Sequence, residues 1–478
     1  MAGATIRSLA TRTRDRAAAD DTPPRSASRI GATPAQAAVG LVFVTALTLA
    51  IIWWPVATSL ASELLVAGIF LLCGVWRIAL VILSRPGTGS PPTPTRWPRY
   101  TVLVPLHDEV EVMAQLVRRL SAIDYPADRL EGWLILEAHD HATLEAAVST
   151  PRPDWLNLMV VPPGKPGTKP RALNFALPRI RGELLTVYDA EDAPHPRQLK
   201  EAASHFAADG TGRLACLQAP LRVRIDPSTP SFLGHQFAAE YAALFEVILP
   251  AMSRIGLPFP LGGTSNHFRV DVLRSVGGWD AWNVTEDADL GFRLWRHGWR
   301  LGVIGSPTRE APPVTLEQWL PQRTRWLKGY MQTWGVHTRD LTGLGARGVV
   351  SLIMTLGVAL ISAAVHAPSL AWIATAVVIA AVTGLPPATP APTLGVFLLG
   401  TSAAWLTCAI GARRAGLPYH VRDMLIAPAY WSLLSLAFAH ALWRLIREPF
   451  IWDKTRHKAD PVEAIDTVPA ADSGRMAA

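Results

Sequence analysis

Three apolar runs in this chain end in carboxylates. Val102-Leu-Val-Pro leads into His107-Asp108-Glu109, Leu134-Ile-Leu into Glu137-Ala-His-Asp140, and Leu185-Thr-Val-Tyr into Asp189-Ala-Glu-Asp192. One acidic terminus is ordinary, because Asp and Glu favour turns and first helical turns. Three on the same edge of one sheet would crowd several carboxylates into a crevice, a costly arrangement unless a cation sits among them. Asp189 and Glu191, two residues apart on a tight turn, suit a hard divalent ion that also holds a diphosphate. Upstream, Lys165-Pro-Gly-Thr-Lys169-Pro-Arg171-Ala-Leu-Asn174 places Lys and Arg beside a helix start, a natural phosphate site.

Two further stretches carry chemistry. Thr285 is placed to cap a helix running from about Glu286 to His297, with Gly298 as its terminator and with Glu286 and Asp287 in the first turn. Compensation of the helix dipole would by itself explain acidic residues there. The segment from Trp319 to Trp334 reads as a helix on which Gln322, Arg325, Trp326 and Gly329 share a face. Its mixture of Trp319, Tyr330 and Trp334 with Arg323 and Lys328 is typical of a helix lying among lipid headgroups. Between these stretches, Leu261-Gly-Gly-Thr-Ser-Asn-His267-Phe-Arg269 is a glycine-rich turn with polar donors; Asn266 is the better candidate, since a lone His is more often structural.

The elements that must position these groups alternate. Strands are expected at Tyr100–Pro105, Trp133–Glu137, Leu158–Val161 and Leu184–Tyr188, and helices at Val110–Ile123, Arg171–Ile180 and Arg197–Ala207. Short apolar strands separated by amphipathic helices predict a parallel sheet with helices on its faces, and ligands then bind beyond the carboxyl ends of the strands.

Composition sets the surroundings. Of 478 residues, 50% are hydrophobic and only 17% charged, against roughly 25% charged in ordinary soluble domains. The three cysteines, Cys73, Cys216 and Cys408, are too far apart for a disulfide framework or a zinc-ligand pattern. A net charge of +7 on so apolar a chain favours an anionic membrane surface over nucleic acid. Residues 1–36, basic and rich in small residues, read as a disordered cytoplasmic arm. Apolar runs at 37–56 and 62–83 predict a transmembrane hairpin over 37–84, with both ends cytoplasmic because the loop between the runs lacks Lys and Arg. A polar domain is expected over 96–316, an interface helix over 317–340, further membrane or interfacial helices over 348–445 and a basic cytoplasmic tail over 446–478. The later apolar runs, near 348–366, 368–384, 394–411 and 424–443, pose a charge conflict. Arg413, Arg414 and Arg422 on one side of the last run, and Arg444, Arg447 and Lys454 on the other, all belong in the cytoplasm. One segment must therefore be re-entrant or interfacial, and the last is the candidate.

The motifs resemble a known family. Asp189-Ala-Glu191 looks like the DxD element of family 2 glycosyltransferases, Thr285-Glu286-Asp287 like their TED motif, and Gln322-Arg323-Thr324-Arg325-Trp326 like the QxxRW motif of the membrane-embedded, cellulose-synthase-like branch. The resemblance covers roughly residues 37–458. It implies a multi-pass protein of the cell (inner) membrane, with an α/β GT-A-like cytoplasmic domain (a Rossmann-like parallel or mixed sheet) inserted between transmembrane helices. It also implies an inverting transfer from a nucleotide-sugar, UDP-linked, to a growing polysaccharide. By the same resemblance Mg²⁺ or Mn²⁺ binds Asp189 and Glu191, Asp287 is the general base, and Asp140, Glu109, Lys169 and Arg325 serve the donor nucleotide. Glu286, Gln322, Trp326 and Asn266 would serve the acceptor, and Trp452, Lys454 and Arg456 would gate the nucleotide pocket. The second metal position departs from the usual pattern, being Glu191 with Asp192 beside it. Two other readings stay open: a single-addition transferase acting on a lipid, and a transporter or scaffold that senses a nucleotide-sugar.

Overall fold

The computed structural model describes residues 28–84, 91–226, 231–385 and 391–451. Trp452, Lys454 and Arg456 lie outside the described residues.

The alternating pattern between residues 100 and 303 folds into a seven-stranded mixed sheet. Its strands are β1 (Tyr100–Leu106), β2 (Leu130–Glu137), β3 (Leu156–Val161), β4 (Leu184–Val187), β6 (Leu214–Gln218), β8 (Asn266–Arg269) and β9 (Arg300–Val303), in the order β3-β2-β1-β4-β8-β6-β9. The first four run parallel; β8 lies antiparallel between β4 and β6, and β9 runs parallel to β6. Period-2 alternation supplies both faces: Val102 and Val104 enter one apolar core, Leu103 and Leu185 the other. A three-stranded sheet of β5 (Ala193–Pro194), β10 (Thr308–Glu310) and β7 (Leu221–Val223) stands beside it.

Helix boundaries shift where turn chemistry intervenes. The helix expected over Val110–Ile123 forms only at Met113–Ser121. The one expected from Arg171 starts at Lys169, because Pro170 presets the first turn, and it tightens into a 3-10 turn at Leu177–Arg179.

Among the described residues, five helices are long and apolar enough to cross a membrane: Pro34–Trp53, Pro55–Leu83, the continuous stretch Thr342–Thr383, Leu394–Ala415 and Val421–Arg447. The loop expected between the first two shrinks to Trp54. Both outer ends of this pair touch the polar domain or its flanking elements, Gln36 Nε2 donating to Gly335 O (2.8 Å) and Arg414 Nη1 donating to both Ser84 Oγ (3.0 Å) and Glu246 O (2.7 Å). Part of the stretch assigned to the disordered arm is ordered: Ser28 N donates to Asp280 Oδ2 at 2.6 Å and the Arg29 guanidinium lies 4.8 Å from the centre of the Trp282 ring.

Four expected apolar runs prove to be three helices, since the runs near 348–366 and 368–384 are continuous through Pro368. The last helix, Val421–Arg447, is tied to neighbouring elements near both ends: Gln236 Nε2 reaches Asp423 O at its start (2.8 Å), and Lys328 Nζ reaches Ile451 O just past its end (2.8 Å).

The helix Ala391–Ala415 packs closely on the domain helix Phe232–Ala243, where a Cβ on Gly411 would stand 2.4 Å from Ala242 O. The obstacle is main chain and cannot rotate away. Gly411→Ala is expected to cost about 1–3 kcal/mol, read as a lower thermal midpoint of the detergent-solubilised protein.

Candidate active site

The carboxyl ends of β3, β2, β1 and β4 open on one edge, and the loops beyond them carry Lys169, Asp140, Glu109 and Asp189 in turn. Adjacent strands lie about 4.8 Å apart, so the ends of β2 and β4 are separated by about 10 Å, a span suited to a nucleoside diphosphate. Asp140 caps the helix His141–Ser149 through Thr143 N (3.2 Å) and also accepts Asp108 N (2.5 Å). Burial opposes its ionisation, yet these N–H groups and the Thr143 hydroxyl hold its pKa below the ordinary value. Glu109 is buried beside it, its N–H donating to Thr143 Oγ1 at 3.0 Å. His139 is exposed, its ring 5.5 Å from that of His107.

At the end of β4 the two acidic candidates beside Asp189 separate. Asp192 is fully buried and turns inward, where its Oδ2 accepts Asp189 N (2.7 Å) and the Thr264 hydroxyl. It braces the turn, and Glu191 is the second carboxylate left nearer the surface. Desolvation raises the Asp192 pKa well above the usual range, and the charges of Asp189 and Glu191 push it further. Glu310, at the end of β10, is raised by desolvation and then by Asp192, Glu191 and Asp189. Nothing in the sequence marks Glu310, because only the small second sheet brings it here.

Lys169 answers this negative charge. Its Nζ donates to Asp189 Oδ1 and to Gly263 O, the latter at 2.6 Å. Burial would lower its pKa, but Asp189 and then Glu286 raise it, with a contribution from Asp287. The ammonium therefore joins the turn after β4 to the acidic start of the helix Glu286–Arg296, and the three segments share one crevice. A Cβ on Gly263 would stand 3.3 Å from Asp287 Oδ2, so the glycine-rich turn borders that carboxylate closely.

Thr285 occupies the N-cap position but does not cap. Its hydroxyl and N–H turn to Asn283 Oδ1 (3.4 and 2.9 Å), and its side chain fills the space left by Gly329, where a Cβ would come within 2.3 Å. Glu286 is buried and its pKa is pushed up to about 8, by desolvation and then by Asp287. Desolvation also raises the Asp287 pKa, while the Ala288 N–H, Lys169 and Arg325 pull it back. Below them Asp289 is ionised despite its burial: Arg293 Nη2 at 2.8 Å and His337 Nε2 at 3.0 Å lower its pKa. Arg293 Nη1 continues to Gly278 O at 2.8 Å, so this network ties the acidic helix to the Gly277-Gly278 turn and to the helix Leu316–His337.

The shared face expected on that last helix divides. Arg325 and Gly329 meet the segment before Glu286, Arg325 Nη1 donating to Val284 O at 3.4 Å. Trp326 turns instead toward Phe232–Ala243, stacking with Tyr241 at 5.9 Å between ring centroids, with the Arg323 guanidinium 4.6 Å from its own. Gln322 is partly exposed nearby. Arg323, assigned only to a headgroup-facing surface by composition, is buried and forms a bidentate pair with Glu240 (2.8 and 2.6 Å), while Tyr430 donates to the same carboxylate at 2.8 Å. Asn266 is buried and braces the glycine-rich turn through Gly262 O at 2.5 Å. His267 is a core residue between Tyr100 (2.6 Å) and Gln198 (3.2 Å), its pKa lowered by burial to about 3.

A mixed-sheet α/β domain with acidic turns at its carboxyl edge, flanked by apolar helices, has the GT-A-like architecture of glycosyltransferases. Residues 184–408 match the model of glycosyl transferase family group 2. A beta-monoglucosyldiacylglycerol synthase of Synechocystis is 30% identical over 249 residues, 50% of this chain and 50% of that protein. Cellulose synthase 2 of Novacetimonas hansenii is 26% identical over 52% of this chain and 15% of its own length. Among solved structures, the mannosyltransferase PcManGT of Pyrobaculum calidifontis, in complex with GDP-Man and Mn²⁺, superposes with a TM-score of 0.48 at 16% identity, covering 80% of this chain and 98% of that one. The matched stretch is thus similar to family 2 glycosyltransferases, among them monoglucosyldiacylglycerol synthases and cellulose synthases, and the chain spans about half the length of the Synechocystis relative.

Arg293 is enclosed with Asp289, and removing one partner strands the other charge. Asp289→Ala is expected to destabilise the protein by about 3–5 kcal/mol, measured as the shift in thermal or denaturant midpoint. An unchanged midpoint would show that the pair holds nothing together.

Proposed function

We propose that the protein transfers a sugar, with inversion, from a nucleotide-sugar to a membrane lipid. The observation that carries the reading is the Lys169 ammonium set among Asp189, Glu286 and Asp287. A nucleoside diphosphate laid along the strand ends would find Asp140 and Glu109 at its nucleoside end and Lys169 and Arg325 at its phosphates. Asp287 is the base that accepts the proton of the attacking hydroxyl, on the face opposite the departing nucleotide. Lys169 and Arg325 stabilise the charge that develops on the leaving diphosphate. Glu286 stays with Asp287 as the neutral member of the pair near neutrality, since its pKa is about 8.

A divalent cation fits this crevice. Asp189 already binds one cationic group, and the carboxyl pKa values of Asp192 and Glu310, raised first by desolvation, are raised further by neighbouring carboxylates, Asp189 and Glu191 for the one and Asp192, Glu191 and Asp189 for the other. Among the described residues no group of three or more His, Cys, Asp or Glu stands in metal-binding geometry. Asp189 and Glu191 would therefore hold Mg²⁺ or Mn²⁺ together with the donor's own oxygens, and the ion would supply further charge to the diphosphate.

The lipid acceptor is supported by the named activity of the Synechocystis relative. Extension of a polysaccharide is the second reading, favoured by Trp326, which is partly exposed beside the apolar helices as a platform for a sugar ring. The arginines at the domain-side helix ends support a cytoplasmic catalytic domain on the cell membrane.

Two outcomes are expected. Asp287→Asn lowers transfer by 100-fold or more, about 2.7 kcal/mol of barrier, and leaves nucleotide binding intact. Full activity of that variant would refute the assignment of the base. Asp287 works only when deprotonated and its pKa is raised, so kcat/KM should fall with acidity along a limb lying above the ordinary aspartate value. Lys169→Met removes a charge that lowers the Asp287 pKa and should move that limb to higher pH. Sizing of the products from a radiolabelled nucleotide-sugar decides the acceptor: a single addition supports the lipid, and a ladder supports the polymer.

A further inference from the structure

Behind Trp326 lies a cavity of about 320 Å³ that no part of the donor chemistry uses. Its domain-side end is polar, formed by Glu240, Tyr241, Arg323, Trp326 and Tyr330. Tyr330 connects it to the reaction crevice: desolvation raises the hydroxyl's pKa, and the charge of Asp287 raises it further. The rest of the cavity is mostly apolar, running between Pro55–Leu83, Val358–Thr383, Ala391–Ala415 and Val421–Arg447 past Phe70, Leu80, Leu356, Ala363, Ala404 and Leu434.

Arg77, Thr355, Ser362 and Thr401 also border this part of the cavity, and among its polar groups His366 is the one whose ring is enclosed by aromatic neighbours. His366 is 5% exposed, its ring stacked on Phe397 at 5.7–6.1 Å from its aromatic neighbours and edge-on to Trp431, and it bonds the Pro428 carbonyl. Its Nε2 has no hydrogen-bond partner. A ring that donates to a carbonyl from one nitrogen keeps the other as an acceptor when neutral. Leaving that acceptor unmade inside an apolar enclosure costs about 1–3 kcal/mol, and ionisable residues at such depth are characteristically functional.

We propose that this cavity holds a hydrocarbon chain of the acceptor lipid, and that His366 Nε2 accepts a hydrogen bond from an O–H or N–H group at the head of that chain. The polarity gradient matches such a molecule: headgroup against the Glu240–Arg323–Tyr430 network near Asp287, chain among the apolar helices. A glycan would leave its hydroxyls facing Phe70, Leu80 and Leu356 without partners. The proposal rests on the lipid-acceptor reading above and makes His366 a specificity-determining residue.

The test uses the full chain in phosphatidylcholine nanodiscs with a ceramide carrying a diazirine in its acyl chain, whose amide N–H is the donor for His366 while its primary hydroxyl faces Asp287. Irradiation followed by peptide mass spectrometry should place the cross-links on segments containing Phe70, Leu356 or Ala404. Ala404→Phe, which fills the cavity, and His366→Phe, which keeps its shape without the acceptor nitrogen, should each reduce cross-linking at least fivefold. Both should raise the KM for lipid and leave nucleotide-sugar binding unchanged, which also shows that the variants fold. Cross-links confined to outward positions such as Val42 or Val378, or insensitive to both substitutions, would overturn the proposal. Sugar transfer to lipid without cavity cross-links refutes the cavity alone. Cavity cross-links sensitive to both substitutions, in a protein that glycosylates no lipid, uphold the chain site and refute the acceptor reading.

Discussion

The crowding of negative charge at the carboxyl edge of the sheet is the constraint on which the site depends. Asp189 and Glu191 act on the ionisation of Asp192 and Glu310, Asp287 acts on that of Glu286, and Lys169 is the cation placed between the two groups. Repulsion at such distances would drive the segments apart unless some carboxyls stay neutral or a cation intervenes. Both happen here. The interior members are pushed toward the protonated form, and the more accessible Asp189 remains paired with the ammonium. Such a concentration of carboxylates would oppose a polyanion unless further positive charge came with it.

The second constraint is how the apolar helices are fastened to the polar domain. Hydrogen bonds at the helix ends do this: Gln36 to Gly335, Arg414 to Ser84 and Glu246, Gln236 to Asp423, and Lys328 to Ile451. The helix Leu316–His337 occupies the junction. One side carries Arg325 and Gly329 against the segment that holds Glu286 and Asp287; the other carries Arg323 and Trp326 against the cavity. The buried Asp289–Arg293–His337 network fixes the far end of that helix against the acidic one.

Much of this was legible from local pattern. Alternating apolar strands and amphipathic helices announced a sheet with both faces covered, and their acidic termini pointed to one edge. Charge spacing exposed the topological conflict at the last helix before any contact was known. What local pattern could not reveal were pairings across long separations. Arg323 reads as a headgroup-facing cation until Glu240 and Tyr430 are brought to it. Glu310 reads as an ordinary strand end until β10 settles between β5 and β7. Thr285 has the residue type of a cap, yet Asn283 and the approach of Gly329 claim its hydroxyl and its space.

Sequence alone determined which segments are apolar, which residues carry charge and how they are spaced, because periodicity and composition are properties of neighbours along the chain. Tertiary structure decided which carboxylate faces the crevice and which faces the core. Asp192 turns inward, where its Oδ2 accepts the hydroxyl of Thr264, 72 residues away, and Glu191 stays half-buried. The partners of the last helix were decided in the same manner: Gln236 and Lys328 meet it near its two ends, and only the folded chain brings them within reach.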